Sequence, residues 1–162
     1  MSLNPPGGIL AAFETIHANT FVIARDWGAG VIACKSRRIE EWGLFRIYII
    51  DEQPPLKHGC HIVIQSSGSP RDNVAPKYWN APNSDWIWAN TDNSQVISAR
   101  FVIHRLDHSG NTRPEITNGT WIQLEKPGAG WVAADFHGAE QGQLSVGHTK
   151  DNGFARLLLK LY

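Results

Sequence analysis

The sequence predicts an all-β protein built from three repeated units, and three observations predict it. First, the stretch 20–33 recurs as 120–133: Thr20, Gly28, Ala29, Gly30 and Ala33 are matched by Thr120, Gly128, Ala129, Gly130 and Ala133. Between those identities Phe21/Trp121, Val22/Ile122 and Ile32/Val132 keep their apolar character. Second, the middle of the chain carries a degenerate copy, with 60–65 standing for the first strand and 87–90 for 31–34. The copies also close alike. Phe45 follows Ala33 at the spacing by which Phe101 follows Ala89, and 155–161 matches 99–106. Third, no segment sustains a 3.6-residue apolar period, whereas short β-branched and aromatic runs recur between turn residues. Self-similarity of this kind sets the architecture, and here it is a pseudo-threefold internal repeat.

In chain order, residues 1–12 read as a loose tail, because Pro5, Pro6, Gly7 and Gly8 oppose both helix and ladder. Residues 1–16 thus form an N-terminal tail and entry. Residues 17–162 form a single domain, with units at about 17–56, 57–113 and 114–162. In the first unit 21–25 and 31–35 are strands around a glycine turn at 26–30, 38–42 fits one helical turn, and 45–50 is a strand. The second unit opens at 58–60, runs as a strand to 66, and resumes with strands at 86–90, 95–98 and 100–106. The interval from Ile64 to Ala89 is far longer than that from Ala24 to Ala33, and its insertion is rich in Ser, Gly, Pro and Asn. Long loops of that composition in compact domains usually carry function. In the third unit Asn118-Gly119 marks a turn, and the strands are 121–125, 131–134, 143–146 and 156–162.

Composition narrows the function. A chain of 162 residues, 42% apolar and 19% charged, can bury one sizeable core without metal or disulfide. Its formal net charge of zero gives no electrostatic case for nucleic acid or an anionic membrane. No apolar run approaches the length that spans a bilayer, so no membrane insertion is expected. The N-terminus lacks a basic region before its apolar residues, so no secretory signal is read. A cytoplasmic location follows as the expectation, with non-classical release and a homo-oligomer left open. Cys34 and Cys60 then read as reduced, small core residues.

The strand openings at Phe21-Val22, Ile62-Val63 and Trp121-Ile122, the small residues Ala33, Ala89 and Ala133, and the closing Phe45-x-Ile47, Phe101-x-Ile103 and Leu157-x-Leu159 carry a resemblance. Over about residues 17–162 the chain resembles the β-trefoil superfamily, which implies a six-stranded barrel capped by three hairpins. Ricin-type lectins of that fold carry Gln-x-Trp near each closing strand. Here those places read Gly43-Leu44-Phe45, Ala99-Arg100-Phe101 and Ala155-Arg156-Leu157, and the closing Phe is similar to that of fascin-like trefoils.

No catalytic set emerges. The run 141–147 fails the spacing of a nucleophile elbow. His104 and His108 lie at a strand end without the glutamate of a zinc helix, and His58, Cys60 and His61 lack further ligands. Adjacent Glu40 and Glu41 would face opposite ways in a strand. No cofactor, no metal and no enzyme activity are expected.

Binding is the better class. A sugar presents flat C–H faces ringed by hydroxyls, so its site needs an aromatic platform with a few fixed polar groups. Three places combine them: Asp26-Trp27 on the first hairpin turn; Tyr78, Trp79, Asn80, Asn83, Asp85 and Trp86 about the insertion; and Trp131, Asp135, Phe136 and His137 in the third unit. Trp79 and Trp86 read as exposed loop aromatics, while Trp121, by its match to Phe21, and Trp131, by its match to Val31, read as core. With the resemblance, these places imply a non-catalytic lectin with glycans or glycoproteins as partners. The candidate carbohydrate-binding residues are Asp26, Trp27, Tyr78, Trp79, Asn83, Asp85, Trp86, Asp135 and His137. The alternative is a protein-binding trefoil, either a fascin-like actin binder or a protease inhibitor acting through the loop 67–85.

Overall fold

The computed structural model describes residues 1–16, 20–25, 30, 32–36, 41–82, 86–108, 110–135 and 142–162; at 34–36, 41 and 135 it describes the backbone alone. The chain is all-β. Its strands are β1 (Leu3–Thr15), β2 (Phe21–Ala24), β3 (Ile32–Ser36), β4 (Phe45–Ile50), β5 (His61–Ser66), β6 (Tyr78–Asn80), β7 (Trp88–Thr91), β8 (Phe101–Arg105), β9 (Thr120–Lys126), β10 (Gly130–Asp135), β11 (Gln143–His148) and β12 (Leu157–Leu161). Single 3₁₀ turns at Glu41–Gly43, Ile97–Ala99 and Gly153–Ala155 each stand one residue before β4, β8 and β12. A fourth, Pro70–Asp72, lies in the insertion. Among the described residues no helix is long and apolar enough to cross a membrane.

The antiparallel pairings β1–β4, β4–β5, β5–β8, β8–β9, β9–β12 and β12–β1 close six strands into a ring. The other six form three hairpins, β2–β3, β6–β7 and β10–β11. Each hairpin continues from the ring strand before it, through β1–β2, β5–β6 and β9–β10. The hairpins also bond to one another: Ile32 N–H donates to the Ile87 carbonyl, Ala89 N–H to Gly30, and Ile87 N–H to Leu144. Inside, Phe13, Phe45, Trp79 and Phe101 pack with ring centroids 5.1–6.4 Å apart, in edge or tilted contacts favoured by aromatic quadrupoles.

The structure corrects the reading of residues 1–12. They are not a tail: β1 is a ring strand, paired with β4 through Leu3↔Ile50 and Ile9↔Ile47 and with β12 through Ala11↔Leu161. The prolines are tolerated because register slips between Asn4 and Ile9, so Pro5, Pro6, Gly7 and Gly8 fall in a bulge where ladder donors are not required. Gly8 sits at φ +72°, and a β-carbon there would come within 2.8 Å of the Arg46 side chain.

A second correction follows from the first. Residues 21–24 form the opening strand of a hairpin, but 120–126 form a ring strand. In its pairing β10, not β9, matches β2, since each bonds to the ring strand before it; 20–33 and 120–133 therefore align a hairpin strand with a ring strand. Trp121 was matched to buried Phe21 on that basis; it is 39% exposed. The stretch 95–98, read as a strand, turns instead as the 3₁₀ segment Ile97–Ala99.

Candidate functional site

The long interval between β5 and β7 is not loop throughout. Its first part closes on itself: Ser69 and Val74 bond to each other, the Ser69 hydroxyl donates to Asp72 at 2.6 Å, and Lys77 N–H donates to the Ser66 hydroxyl at 3.1 Å. Gly68 is obligatory here, since a β-carbon would lie 2.5 Å from the Val74 carbonyl oxygen. The chain then enters β6, and strand alternation sorts its side chains. Trp79 turns inward and is 0% exposed, packed on Phe13, Phe45 and Phe101. It is therefore core, not the exposed loop aromatic expected, and its face is closed to any ligand arriving from solvent.

Tyr78 and Asn80 turn outward. Asn80 stands opposite Trp88 of β7, which is 40% exposed. The ladder slips between Tyr78 and Trp79, leaving Asn90 as the extra residue of a bulge, and the Asn80 amide donates to Asn90 Oδ1 at 3.0 Å. Asn80 Oδ1 has no hydrogen-bond partner. Beside them Tyr78 meets Tyr48 edge-on at 6.4 Å, and the Tyr48 hydroxyl donates to Gln65 at 3.2 Å. Burial, then the neighbouring Tyr48, pushes the Tyr78 phenol above its ordinary range, so it stays protonated as a donor. At the strand ends Lys77 and Asp92 pair at 2.7 Å. The face thus sets one open indole beside a bonded amide pair and two phenols.

Of the other predicted residues, Trp86 is half-buried and its backbone bridges Ser145, so it fastens one hairpin to the next. Asp135 ends β10 opposite Gln143. Asp26, Trp27, Asn83, Asp85 and His137, like Phe136, lie outside the described residues, so Tyr78 alone of the nine joins this face, as a half-buried aromatic. Trp88 stands out in sequence as a tryptophan flanking the insertion but is not among the nine, and Asn90 was missed, although a signal for both existed. Ala89 matches Ala33 and Ala133 as an inward small residue, which turns its neighbours Trp88 and Asn90 outward.

Two further clusters bring titratable side chains together. His58 packs edge-on against His104 and His108, centroids 5.1 and 4.6 Å apart, and His104 lies 4.8 Å from the Trp131 ring. Among the described residues no group of His, Cys, Asp and Glu is arranged to hold a metal. Each ring has its own partner instead: His58 Nδ1 accepts from Arg105 N–H at 2.9 Å, His104 meets Glu125 at 3.1 Å, and His108 meets the Thr112 carbonyl at 2.8 Å. Burial, then the neighbouring cations, lowers the His58 pKa; burial also lowers that of His104, against the pull of Glu125. Cys60 is buried within reach of the bidentate Arg113–Glu52 pair, and burial pushes its thiol up, away from nucleophilic use.

Fold and face together define an all-β protein that carries aromatic and amide side chains on one outer hairpin face. No family model matches the chain, and no curated protein matches it significantly in sequence. In structure it is similar to an SDF2-like protein from Arabidopsis thaliana, at 11% identity and TM-score 0.64, over 94% of this chain and 92% of that one. It is similar also to a Caenorhabditis elegans protein of unknown function, at 12% identity and TM-score 0.65, over 96% and 93%. A third likeness is to the lysenin pore, at 9% identity and TM-score 0.63, over 99% of this chain but 49% of that one. At such identities the likeness is one of fold.

Proposed function

We propose that the chain is a β-trefoil that binds carbohydrate without catalysis, through the outer face of the β6–β7 hairpin. The closed ring of six strands, the three hairpins leaving it from β1, β5 and β9, and the 3₁₀ turns before β4, β8 and β12 support the trefoil and its pseudo-threefold repeat. The observation that carries the function is Trp88, open to solvent beside the Asn80–Asn90 amide pair. An indole face stacks on sugar C–H groups, and amides both donate to and accept from hydroxyls. Asn90 is exposed and presents its amide to solvent. Glycans or glycoproteins are the partners this implies.

The protease-inhibitor alternative draws less support. A protease cleft takes extended backbone, whereas Pro70–Asp72 coils into a 3₁₀ turn.

A glycan array probed with wild type, Trp88→Ala and Asn90→Ala tests the reading. Selective binding lost at least tenfold in Trp88→Ala and weakened in Asn90→Ala is expected, on the order of one to two lost interactions. No selective binding by wild type, or binding indifferent to Trp88→Ala, would remove the site.

A further inference from the structure

Trp121 lies on β9, on the outer surface of the ring, with its own surroundings. Its backbone is fixed on both sides: it pairs with Leu158 of β12, and its carbonyl accepts from Leu106 N–H at 2.9 Å. The indole is nonetheless 39% exposed. Two hollows open beside it, and both are lined by Trp121 and Leu106. One, of about 290 Å³, is bounded by Arg105, Asp107 and Thr120; the other, of about 370 Å³, by Ile16 and Arg156. An exposed indole on a fixed backbone, between two hollows, is a platform rather than a filler.

The two arginines differ. Arg105 is paired: its guanidinium is bidentate on Asp107 at 3.0 and 2.9 Å and donates to the Glu115 carbonyl at 3.0 Å. Its hollow therefore carries no net charge at its rim. Arg156 is exposed and has no hydrogen bond or ion pair among the described residues. Among the described residues its hollow has a cation without a counter-charge beside an apolar floor of Trp121, Leu106 and the 41% exposed Ile16. Both hollows are open to solvent, which suits a flat ring with polar edges better than a buried acyl chain.

We propose that Trp121 and Arg156 form a second binding site, specific for an acidic sugar residue of a glycan. The pyranose C–H face stacks on the Trp121 indole, and the ring carboxylate takes the fork of Arg156, which matches it bidentately. Thr120 and the Arg105–Asp107 pair meet hydroxyls of the next residue across the indole. The site deepens the reading of the chain as a saccharide binder, yet it stands on a different face from Trp88. Among the described residues the Trp88 face is lined by amides and phenols and its nearest cation, Lys77, is paired with Asp92, so it discriminates no carboxylate.

The experiment uses two matched pairs, methyl glucuronide with methyl glucoside and sialyllactose with lactose, titrated into the full chain by calorimetry. At least one acidic member is expected to bind about tenfold or more tightly than its neutral partner, as one charge-assisted contact supplies. Arg156→Gln should abolish that preference, Trp121→Ala should abolish binding of the acidic member, and added salt should weaken it. Trp88→Ala should leave the preference intact. Circular dichroism of each variant separates lost binding from lost fold, and Arg156→Gln, at an exposed position, keeps the test open if Trp121→Ala unfolds. Neither acidic sugar being preferred, or a preference that survives Arg156→Gln, would overturn the acidic site. A neutral-glycan signal lost only in Trp88→Ala would meanwhile leave the first site standing.

Discussion

Neighbouring tryptophans in one hairpin do opposite work, and a single strand register decides which. Trp79 and Trp88 flank the same insertion, and sequence chemistry alone rates Trp79 the more functional. Alternation instead sends Trp79 to the centre of the ring, among Phe13, Phe45 and Phe101, and leaves Trp88 outside. Trp79→Ala is therefore expected to cost about 3–5 kcal/mol by leaving a core cavity that its surroundings fill only in part. That is a large fraction of the stability of a domain this size. Trp88→Ala should cost within about 0.5 kcal/mol, as at exposed positions generally. Urea denaturation of the two variants measures both. Equal losses would mean that the outward assignment of Trp88 is mistaken.

At the scale of elements, the sequence carried ring strands well where β-branched residues run unbroken, and poorly where punctuation intervened. β4 is read at its observed bounds because apolar Phe45, Ile47 and Ile49 alternate with Arg46 and Tyr48 before Ile50, and clear turn residues follow. β1 was lost because Pro5 to Gly8 argue against a ladder, and only a partner strand shows that a bulge excuses them. With β1 missing, the first unit began one strand late, and Trp121 inherited the wrong neighbour. β6 was hidden by its shortness, three residues inside polar sequence. The 3₁₀ turn before β8 depends on a contact invisible to local reading: Lys126, buried on β9, donates to the carbonyls of Ile97 and Arg100 at 2.5 and 2.9 Å and lies 5.3 Å from the Phe101 ring centre. Burial, then Arg100, pushes its ammonium down to about 8 from 10.5. Between those values the unfolded chain holds more protons than the folded one, so this residue makes stability rise with pH from about 8 to 10.5. Cys60 and Tyr78, whose pKa values are raised, work in the opposite sense, so the readable quantity is the difference between wild type and Lys126→Met. That difference should shift toward wild type as pH rises through the window; a flat difference would contradict the burial of the charge.

For the whole molecule, ring closure makes distant segments share one fate, and the histidines sit where several of them meet. His58 precedes β5, His104 is on β8, His108 follows it, and Trp131 on β10 completes the stack. Lys150 stands over Trp131 at 5.6 Å, and Lys150 and Arg105 both act on His58. His61 faces His104, with Glu125 the nearby counter-charge. The candidate pH response was legible only as scattered residues; their proximity comes from pairing β5 with β8 and β8 with β9. Since folding lowers the pKa of His58 and His104 below 6.5, the unfolded chain binds more protons just below that value. Their contribution to stability is thus full above pH 6.5 and is lost as pH falls through the lowered values. Protonation also ends the Arg105 N–H bond, because Nδ1 can no longer accept. Asp51, Glu52 and Asp107 are held below their ordinary 3.8 to 4.5, so their losses come at lower pH and leave the histidine window clear. Denaturation midpoints measured from pH 7.5 to 5 should therefore fall steadily. His58→Gln retains an acceptor for Arg105 but cannot charge, and it should flatten the slope. An unchanged slope in that variant would show that His58 does not charge in this window, and that the loss of stability arises elsewhere in the ring.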